Sequence, residues 1–391
     1  MRPALLRQPR VAIVHDWLTG MRGGERVLEA LCRLLPGADI LTLIHTPGST
    51  CPAIERRRIV TSFLNDLPGV HRHYRMLLPL MPAAAAGLDA GAYDVLITSS
   101  HCAANGIGGR RAGQLHVCYC HTPMRYAWSA LGDYAAGAGA VGGAALRAMA
   151  PLLRAWDRRM ARRVDAFLAN SSAVADRIAR FYGRPAAVVH PPVDVDYFTP
   201  DGGSREEFYL AVSHRAPYKR IGQAVEATGL TGRRLKVVGE PPMGGHWRRA
   251  AGDGVEMLGW VSRGELRGLY RRCRALLMPG EEDFGIAAVE ATACGAPVIA
   301  LSAGGALETV RDAAAGVDKP TGMLYRRAAA AGLAEAIRAF ERLGGRFDAA
   351  AMHAWALRFG PERFAEAFAR HVGPLLRQRG FSQPWSSNTT N

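Results

Sequence analysis

Residues 281–290 read EEDFGIAAVE, and Glu282 and Glu290 stand eight positions apart with small or apolar residues between them. A carboxylate can accept two hydrogen bonds from adjacent hydroxyls, and small neighbours such as Ala287, Ala288 and Ala291 let a ligand approach. An apolar run, ALLMPG (275–280), precedes the segment and reads as the end of a strand, and Gly285 starts a helix. Glu282 then sits in the loop at the carboxyl end of a strand, where open α/β sheets bind ligands. The N–H groups of Phe284, Gly285 and Ile286 face the same crevice with the helix dipole behind them. That arrangement suits an anionic or polyhydroxylated ligand. A solvated helix carrying ordinary charges is the alternative that spacing alone leaves open.

The elements that must position these groups alternate between strand and helix. Residues 10–17 (RVAIVHDW) read as a buried strand, residues 18–24 as a loop carrying Gly23 and Gly24, and a helix starts near Glu25. Further strands are expected at 39–44, 94–99, 115–119, 166–169 and 187–190, which implies a parallel sheet with helices on both faces. Two low-complexity patches interrupt this half, at 83–92 and 135–145, and the second reads as a mobile loop. The proline-rich stretch 190–200 (HPPVDVDYFTP) reads as a linker. The alternation then restarts, with strands at 208–213, 234–240, 255–258, 275–278 and 297–301 and helices from about Lys219, at 262–272 and from about Gly285. The division is thus 1–192, 193–372 with terminal helices packing back toward the first domain, and an extension 373–391 whose last ten residues are expected to be disordered. Two doubly wound, Rossmann-like α/β domains with a hinge make a cleft between them.

Bulk properties narrow the partners. The chain has 391 residues and a net charge of +15, which predicts attraction to an anionic partner, with nucleic acid, a phospholipid surface and a phosphorylated small molecule all left open by composition. Seven cysteines without a repeating framework read as reduced thiols of a cytosolic protein. The start of the chain has no signal-peptide pattern, and no apolar run is long enough to span a bilayer. No set of His, Asp and Glu has metal-ligand spacing, and no nucleic-acid module accompanies the basic residues. GIGG (106–109) lacks the spacing of a dinucleotide loop.

The stretch from Glu282 to Glu290, continued by ATACGAPVIA, resembles the E-x₇-E motif of the family 4 retaining glycosyltransferases with the GT-B fold. SHRAPYKRIGQAVEA (213–227) and VVGE (237–240) resemble the parts of that family that grip the donor diphosphate. The stretches 10–31, 98–101, 119–128, 170–184 and 190–198 resemble a subgroup that includes bacterial mannosyltransferases of surface-polysaccharide assembly. The resemblance implies transfer of a sugar, mannose from GDP-mannose, to a glycan linked to polyprenyl diphosphate, without a metal or other cofactor. It implies that Glu290 holds the donor ribose, that Glu282, with Phe284, Gly285 and Ile286, contacts the transferred sugar, and that Lys219 neutralises the diphosphate with Gly239 beside it. His121 would reach sugar and acceptor from the first domain, and Gly23 and Gly24 would let backbone approach phosphate or acceptor.

Lys219 at a helix start opposes the dipole, which favours a ligand role over a structural one. His214 stands where the subgroup has arginine and Arg215 follows it, so either Arg215 supplies the guanidinium or phosphate binding leans on Lys219 and His214. Ser129 stands where the subgroup commonly has aspartate. Residues 56–82 carry Arg56, Arg57, Arg58, Arg72 and Arg75 around Phe63, Leu64, Leu67, Met76, Leu77 and Leu78. They read as an interfacial segment for the anionic inner face of a plasma membrane, with a core-packed helix as the alternative. Two rival readings stay open: a UDP-sugar donor or soluble acceptor, and a catalytically idle GT-B scaffold.

Overall fold

The computed structural model describes residues 6–213, 216–240 and 252–385. They form two compact units, the first within Met1–Leu131, Ala144–Pro192 and Pro361–Asn391, the second within Gly132–Gly143 and Val193–Gly360.

Strands of the first unit are apolar on both faces: β1 (Val11–His15), β4 (Val95–Ser100) and β5 (Leu115–Cys120) are buried along their whole length. Such runs belong to a parallel sheet covered on both sides. With β2 (Asp39–Thr42), β3 (Ile59–Thr61), β6 (Ala166–Ala169) and β7 (Ala186–Val188) they form a seven-stranded sheet of order β3-β2-β1-β4-β5-β6-β7. Every pairing is parallel. The order reverses between β1 and β4, and that switch opens a crevice at their carboxyl ends. Helix Gly23–Leu34 buries Val27, Leu28 and Leu31 against the sheet.

The second unit repeats the plan. Its strands β8 (Phe208–Ser213), β9 (Arg234–Gly239), β10 (Val255–Gly259), β11 (Leu276–Met278), β12 (Val298–Leu301) and β13 (Gly322–Tyr325) form a six-stranded parallel sheet, β10-β9-β8-β11-β12-β13. Here the switch lies between β8 and β11.

Four expectations change. The Ala/Gly stretch read as a mobile loop lies in helices Leu131–Gly137 and Gly139–Ala161, because alanine favours helix and a few glycines do not outweigh it. Helix Pro361–Gln378 belongs to the first unit, so the boundary at 372 falls inside a helix. Its stripe of Phe364, Phe368, Val372 and Leu376 is buried in the first unit's core, with the Tyr119 and Phe364 rings 5.8 Å apart. Residues 382–385 are ordered: Trp385 joins that core 6.3 Å from Phe368, and the Ser382 amide donates to the Arg7 carbonyl. Residues 386–391 lie outside the described ones. Lys219 precedes its helix: it closes a 3₁₀ turn, Pro217–Lys219, before helix Ile221–Thr231.

Candidate functional site

The second unit gathers its charged groups at the β8/β11 switch. The chain leaves β11 through Pro279 and Gly280 into the loop carrying Glu282. Gly280 makes the site possible: a Cβ there would lie 2.0 Å from the Tyr218 carbonyl oxygen and 2.7 Å from the Lys219 Cα. With glycine the two loops touch, and the Lys219 ammonium donates to the Glu282 Oε1 at 2.7 Å. Both side chains are under one-fifth exposed, at 18% and 15%. The loop after β12 completes the wall. Gly304, with φ +61°, has its Cα side against the Glu282 carbonyl, where a Cβ would come within 2.1 Å, and the Gly305 N–H donates to that carbonyl at 3.0 Å.

Gly285 caps helix Ile286–Ala293, so the N–H groups of Ile286 and Ala287 have no acceptor within the helix. Phe284 is not presented to a ligand: its ring is buried, 5.4 Å from Phe359, and only its backbone belongs to the loop. Glu290, a turn and more along the helix, accepts from the Tyr270 hydroxyl at 3.1 Å. Burial first and the Glu290 charge second hold the Tyr270 phenol protonated, well above its ordinary range. Gly239 ends β9 opposite Ser213, beside the same switch. His214 and Arg215 lie outside the described residues.

The first unit gathers imidazoles, a hydroxyl and a buried carboxylate instead. His15 ends β1 in register with Ser99, one residue before the end of β4, and His121 follows β5. Ser99 Oγ lies 3.1 Å from His15 Nδ1 and 2.8 Å from His121 Nε2. Gly24, at the start of helix Gly23–Leu34, packs over both rings, its Cβ position 3.5 Å from His15 Cε1 and 3.8 Å from His121 Nε2. These are ordinary contacts, so alanine would fit at Gly24. Asp16, fully buried, accepts from the N–H groups of His101, Cys102, Ala103 and Ala104 at 2.7–2.9 Å and fixes the turn after β4. Burial pushes His15 down to about 3 and Glu25, in the first turn of the helix, up to about 7.

The basic segment is split by β3. Arg56, Arg57 and Arg58 lie before that strand, where Arg57 bonds the Cys32 carbonyl and Arg58 the Asp39 carboxylate. Arg72 and Arg75 lie after it, both exposed, among exposed Phe63, Leu67, Met76 and Leu80; Met76 is 77% exposed. Leu64 is buried, and Leu77 and Leu78 pack on the core. The arginines thus come from two stretches of chain, one before β3 and one after it.

Sequence reading missed His15, Ser99, Asp16, Tyr270 and Gly280 as parts of these sites. Polar residues ending otherwise apolar strands, as in VAIVHD and VLITSSH, were the available signal. Among the described residues, no group of three or more His, Cys, Asp or Glu is arranged to hold a metal ion, and no helix is long and apolar enough to cross a membrane. All seven cysteines are free thiols.

Two family models match consecutive parts of the chain: Glycosyltransferase Family 4 over residues 21–197 and Glycosyl transferases group 1 over residues 201–351. The chain belongs to the family 4/group 1 glycosyltransferases, with the GT-B fold. Among solved structures, Anabaena HepE in complex with UDP is similar to this glycosyltransferase with a TM-score of 0.67 at 15% identity, covering 93% of this chain and 100% of that one. Sucrose-phosphate synthase from Thermosynechococcus elongatus gives 0.67 at 19%, covering 95% and 99%. Both likenesses concern the fold. A D-inositol 3-phosphate glycosyltransferase of Mycobacteroides abscessus is 31% identical over 182 residues, 40% of this chain and 41% of the relative. That of Streptomyces bingchenggensis is 30% identical over 254 residues, 54% of this chain and 53% of the relative. The matches thus span about half or less of these relatives' length.

Proposed function

We propose that this glycosyltransferase is a retaining hexosyltransferase whose nucleotide-sugar donor binds the second unit. The observation that carries the reading is the Lys219–Glu282 ion pair at the β8/β11 switch, beside the start of helix Ile286–Ala293. In the reaction the bond from sugar C1 to the diphosphate oxygen breaks, and the acceptor hydroxyl oxygen bonds C1 on the same face. The acceptor's proton passes to the departing phosphate. Negative charge grows on the diphosphate, and the Lys219 ammonium and the helix-start N–H groups of Ile286 and Ala287 are the groups to stabilise it without a metal. Gly239, at the end of β9 beside this switch, and by the family resemblance His214 and Arg215, are the further residues we assign to the phosphates. Glu282 accepts from hydroxyls of the transferring sugar, and Glu290, held by Tyr270, from the ribose. His121 meets the sugar or acceptor from the first unit, and Gly23 and Gly24 bring backbone to it.

The donor we propose is GDP-mannose and the acceptor a glycan on polyprenyl diphosphate, extended at the cytoplasmic face of a bacterial membrane. The first-unit stretches that resemble polysaccharide mannosyltransferases and the +15 charge support this choice. So do exposed Phe63, Leu67, Met76 and Leu80 with Arg72 and Arg75, which suit an anionic bilayer surface. HepE, solved with UDP and with UDP-glucose, supports a second reading in which the donor is a UDP-sugar. The curated relatives support a phosphorylated polyol as its acceptor.

Incubating the protein with radiolabelled nucleotide sugars and a bacterial lipid extract separates these readings. Label from GDP-mannose in lipid is the expected result. Label from a UDP-sugar in a water-soluble product favours the second reading, and no transfer from any donor contradicts both.

A further inference from the structure

We propose that Trp17 is a platform for a saccharide, the acceptor glycan of the transfer, within a row of rings that leads from residues 74–80 to His121. Beyond β1 the chain stays extended: the Leu43 N–H donates to the Asp16 carbonyl at 3.2 Å, and the Leu18 N–H to the Ile44 carbonyl at 2.7 Å. Alternate side chains of extended backbone point to opposite sides. Asp16 and Leu18 are fully buried, and Trp17 between them is half-buried.

The indole is held from two sides. The buried Tyr74 ring lies 5.1 Å from it, and the His101 ring meets it T-shaped at 4.5 Å. His101 is fixed in turn, with Nδ1 3.1 Å from Asp16 Oδ2, yet its side chain stays 28% exposed. The His121 ring, also half-buried, follows at 6.1 Å. At the other end of the row, Tyr74 begins the turn Tyr74–Leu80, which carries exposed Met76 and Leu80. The row thus joins the surface assigned to lipid to the histidine assigned to the sugar. A rigid, half-open indole offers apolar area and one N–H donor. A pyranose matches it: one face is made of C–H groups, and the hydroxyls stay at the rim, in water or on polar side chains. A nucleobase needs a second plate parallel to the first, and neither neighbour is parallel to the indole, with interplanar angles of 53° and 88°. Naming the saccharide as acceptor rests on the transferase reading; the binding of a sugar at Trp17 does not.

The test is ¹⁵N NMR of the full-length protein with labelled tryptophan and no donor, titrated with the methyl glycosides of mannose, glucose and galactose. The Trp17 indole signal is identified by its loss in Trp17→Phe. It is expected to shift with at least one glycoside. Saturation-transfer NMR should show that glycoside binding Trp17→Ala at least about ten-fold more weakly, the scale for truncating one aromatic anchor, while Trp17→Phe keeps most of the affinity. Affinity for GDP and UDP should be unchanged in both variants. A Trp17 signal that no glycoside moves overturns the platform. So does a folded Trp17→Ala protein that binds the glycoside as the wild type does, and so does a loss of GDP or UDP affinity in that variant, which would give the ring to the nucleotide. Should Trp17→Ala fail to fold, the indole shift of the wild type and the titration of Trp17→Phe decide. If a glycoside binds as expected but no transfer occurs with any donor, the platform stands and the transferase reading falls. If transfer occurs while the Trp17 signal stays still, the platform falls and that reading stands.

Discussion

The two switch points solve one structural problem with opposite chemistry. Each lies where a parallel sheet reverses its strand order, and each has a glycine-bearing loop and a helix start beside it. In the second unit the reactive groups are ionised and paired, Lys219 with Glu282, and partly open to water. In the first they are imidazoles and a hydroxyl, with His15 and Ser99 fully buried and His15 held neutral, and the carboxylate beside them, Asp16, is fully buried and bound by backbone N–H groups. The difference follows from where each group sits on the chain. Lys219 and Glu282 ride on loops beyond the strand ends, where water reaches them and two charges cost little. His15 ends β1 and Ser99 stands one residue before the end of β4, in strands covered on both faces, where a charge without partners costs several kcal/mol. A site that meets a diphosphate needs the first kind of group, and one that orients neutral hydroxyls can use the second.

Breaking the ion pair from its basic side should have the largest effect. Lys219→Ala is expected to lower kcat by about 10²–10³, the range for removing one group that stabilises a developing oxyanion. Circular-dichroism melting should show little change, since Lys219 is a loop residue outside the apolar core. Near-normal turnover would remove it from the chemistry.

The two carboxylates of the second unit should part in kinetics. Glu282→Gln removes contacts that strengthen as the sugar departs, so kcat should fall. Glu290→Gln weakens ribose binding in ground and transition states alike, so donor KM should rise with kcat less affected. Each charged hydrogen bond is worth roughly 1.5–3 kcal/mol, or about ten- to a hundred-fold. Steady-state kinetics with varied donor would show the reverse pattern if the assignments were exchanged.

In the first unit, neutrality should appear as a pH dependence. The folded pKa of His15 lies near 3, below the ordinary 6.5, so the unfolded chain binds the extra proton as pH falls through 6.5. Stability from this group is complete above 6.5 and is lost on acidification toward 3. Glu25 and Asp157, both pushed up to about 7, act in the opposite sense, and comparison with His15→Asn cancels them. Between pH 7 and pH 5 the wild type should lose about 2 kcal/mol relative to that variant in urea unfolding. A constant difference would show that His15 is not held neutral.

The smallest effect concerns the surface. Charge reversal at Arg72 and Arg75 should weaken binding to anionic vesicles a few-fold in sedimentation assays, and salt should do the same. Reversal at Arg57 and Arg58, whose guanidinium groups face Cys32 and Asp39, should matter less. Equal binding to neutral vesicles would exclude an electrostatic role.

Much of this was legible because period and punctuation are local. Apolar runs such as VAIVH and VLITS, separated by glycine and proline, gave the alternation of both units and the turn between them at 190–200. Glu282 and Glu290 were visible through their spacing, and Lys219 through its motif. What pairs with what was not. Lys219 and Glu282 are 63 positions apart, and Tyr270 meets Glu290 only after its helix packs. His15 reaches Ser99 through strand register, 84 positions away, which composition does not encode. The stretch 135–145, which lies in helices, was misread because glycine among alanines resembles a linker until packing decides. Trp385 was lost in a polar tail because a single aromatic that docks leaves no periodic signal.

The central claim, that Lys219 at the β8/β11 switch holds the donor diphosphate, is tested most directly by calorimetric titration of GDP and UDP. Wild type, Lys219→Ala and Glu282→Gln would be compared, with no sugar attached to the nucleotide. The account predicts that one of the two binds the wild type, that Lys219→Ala weakens it at least about ten-fold, and that Glu282→Gln binds it as tightly or more tightly, because the ammonium no longer has a competing carboxylate. Unaltered binding in Lys219→Ala, or loss of binding in Glu282→Gln, would contradict it.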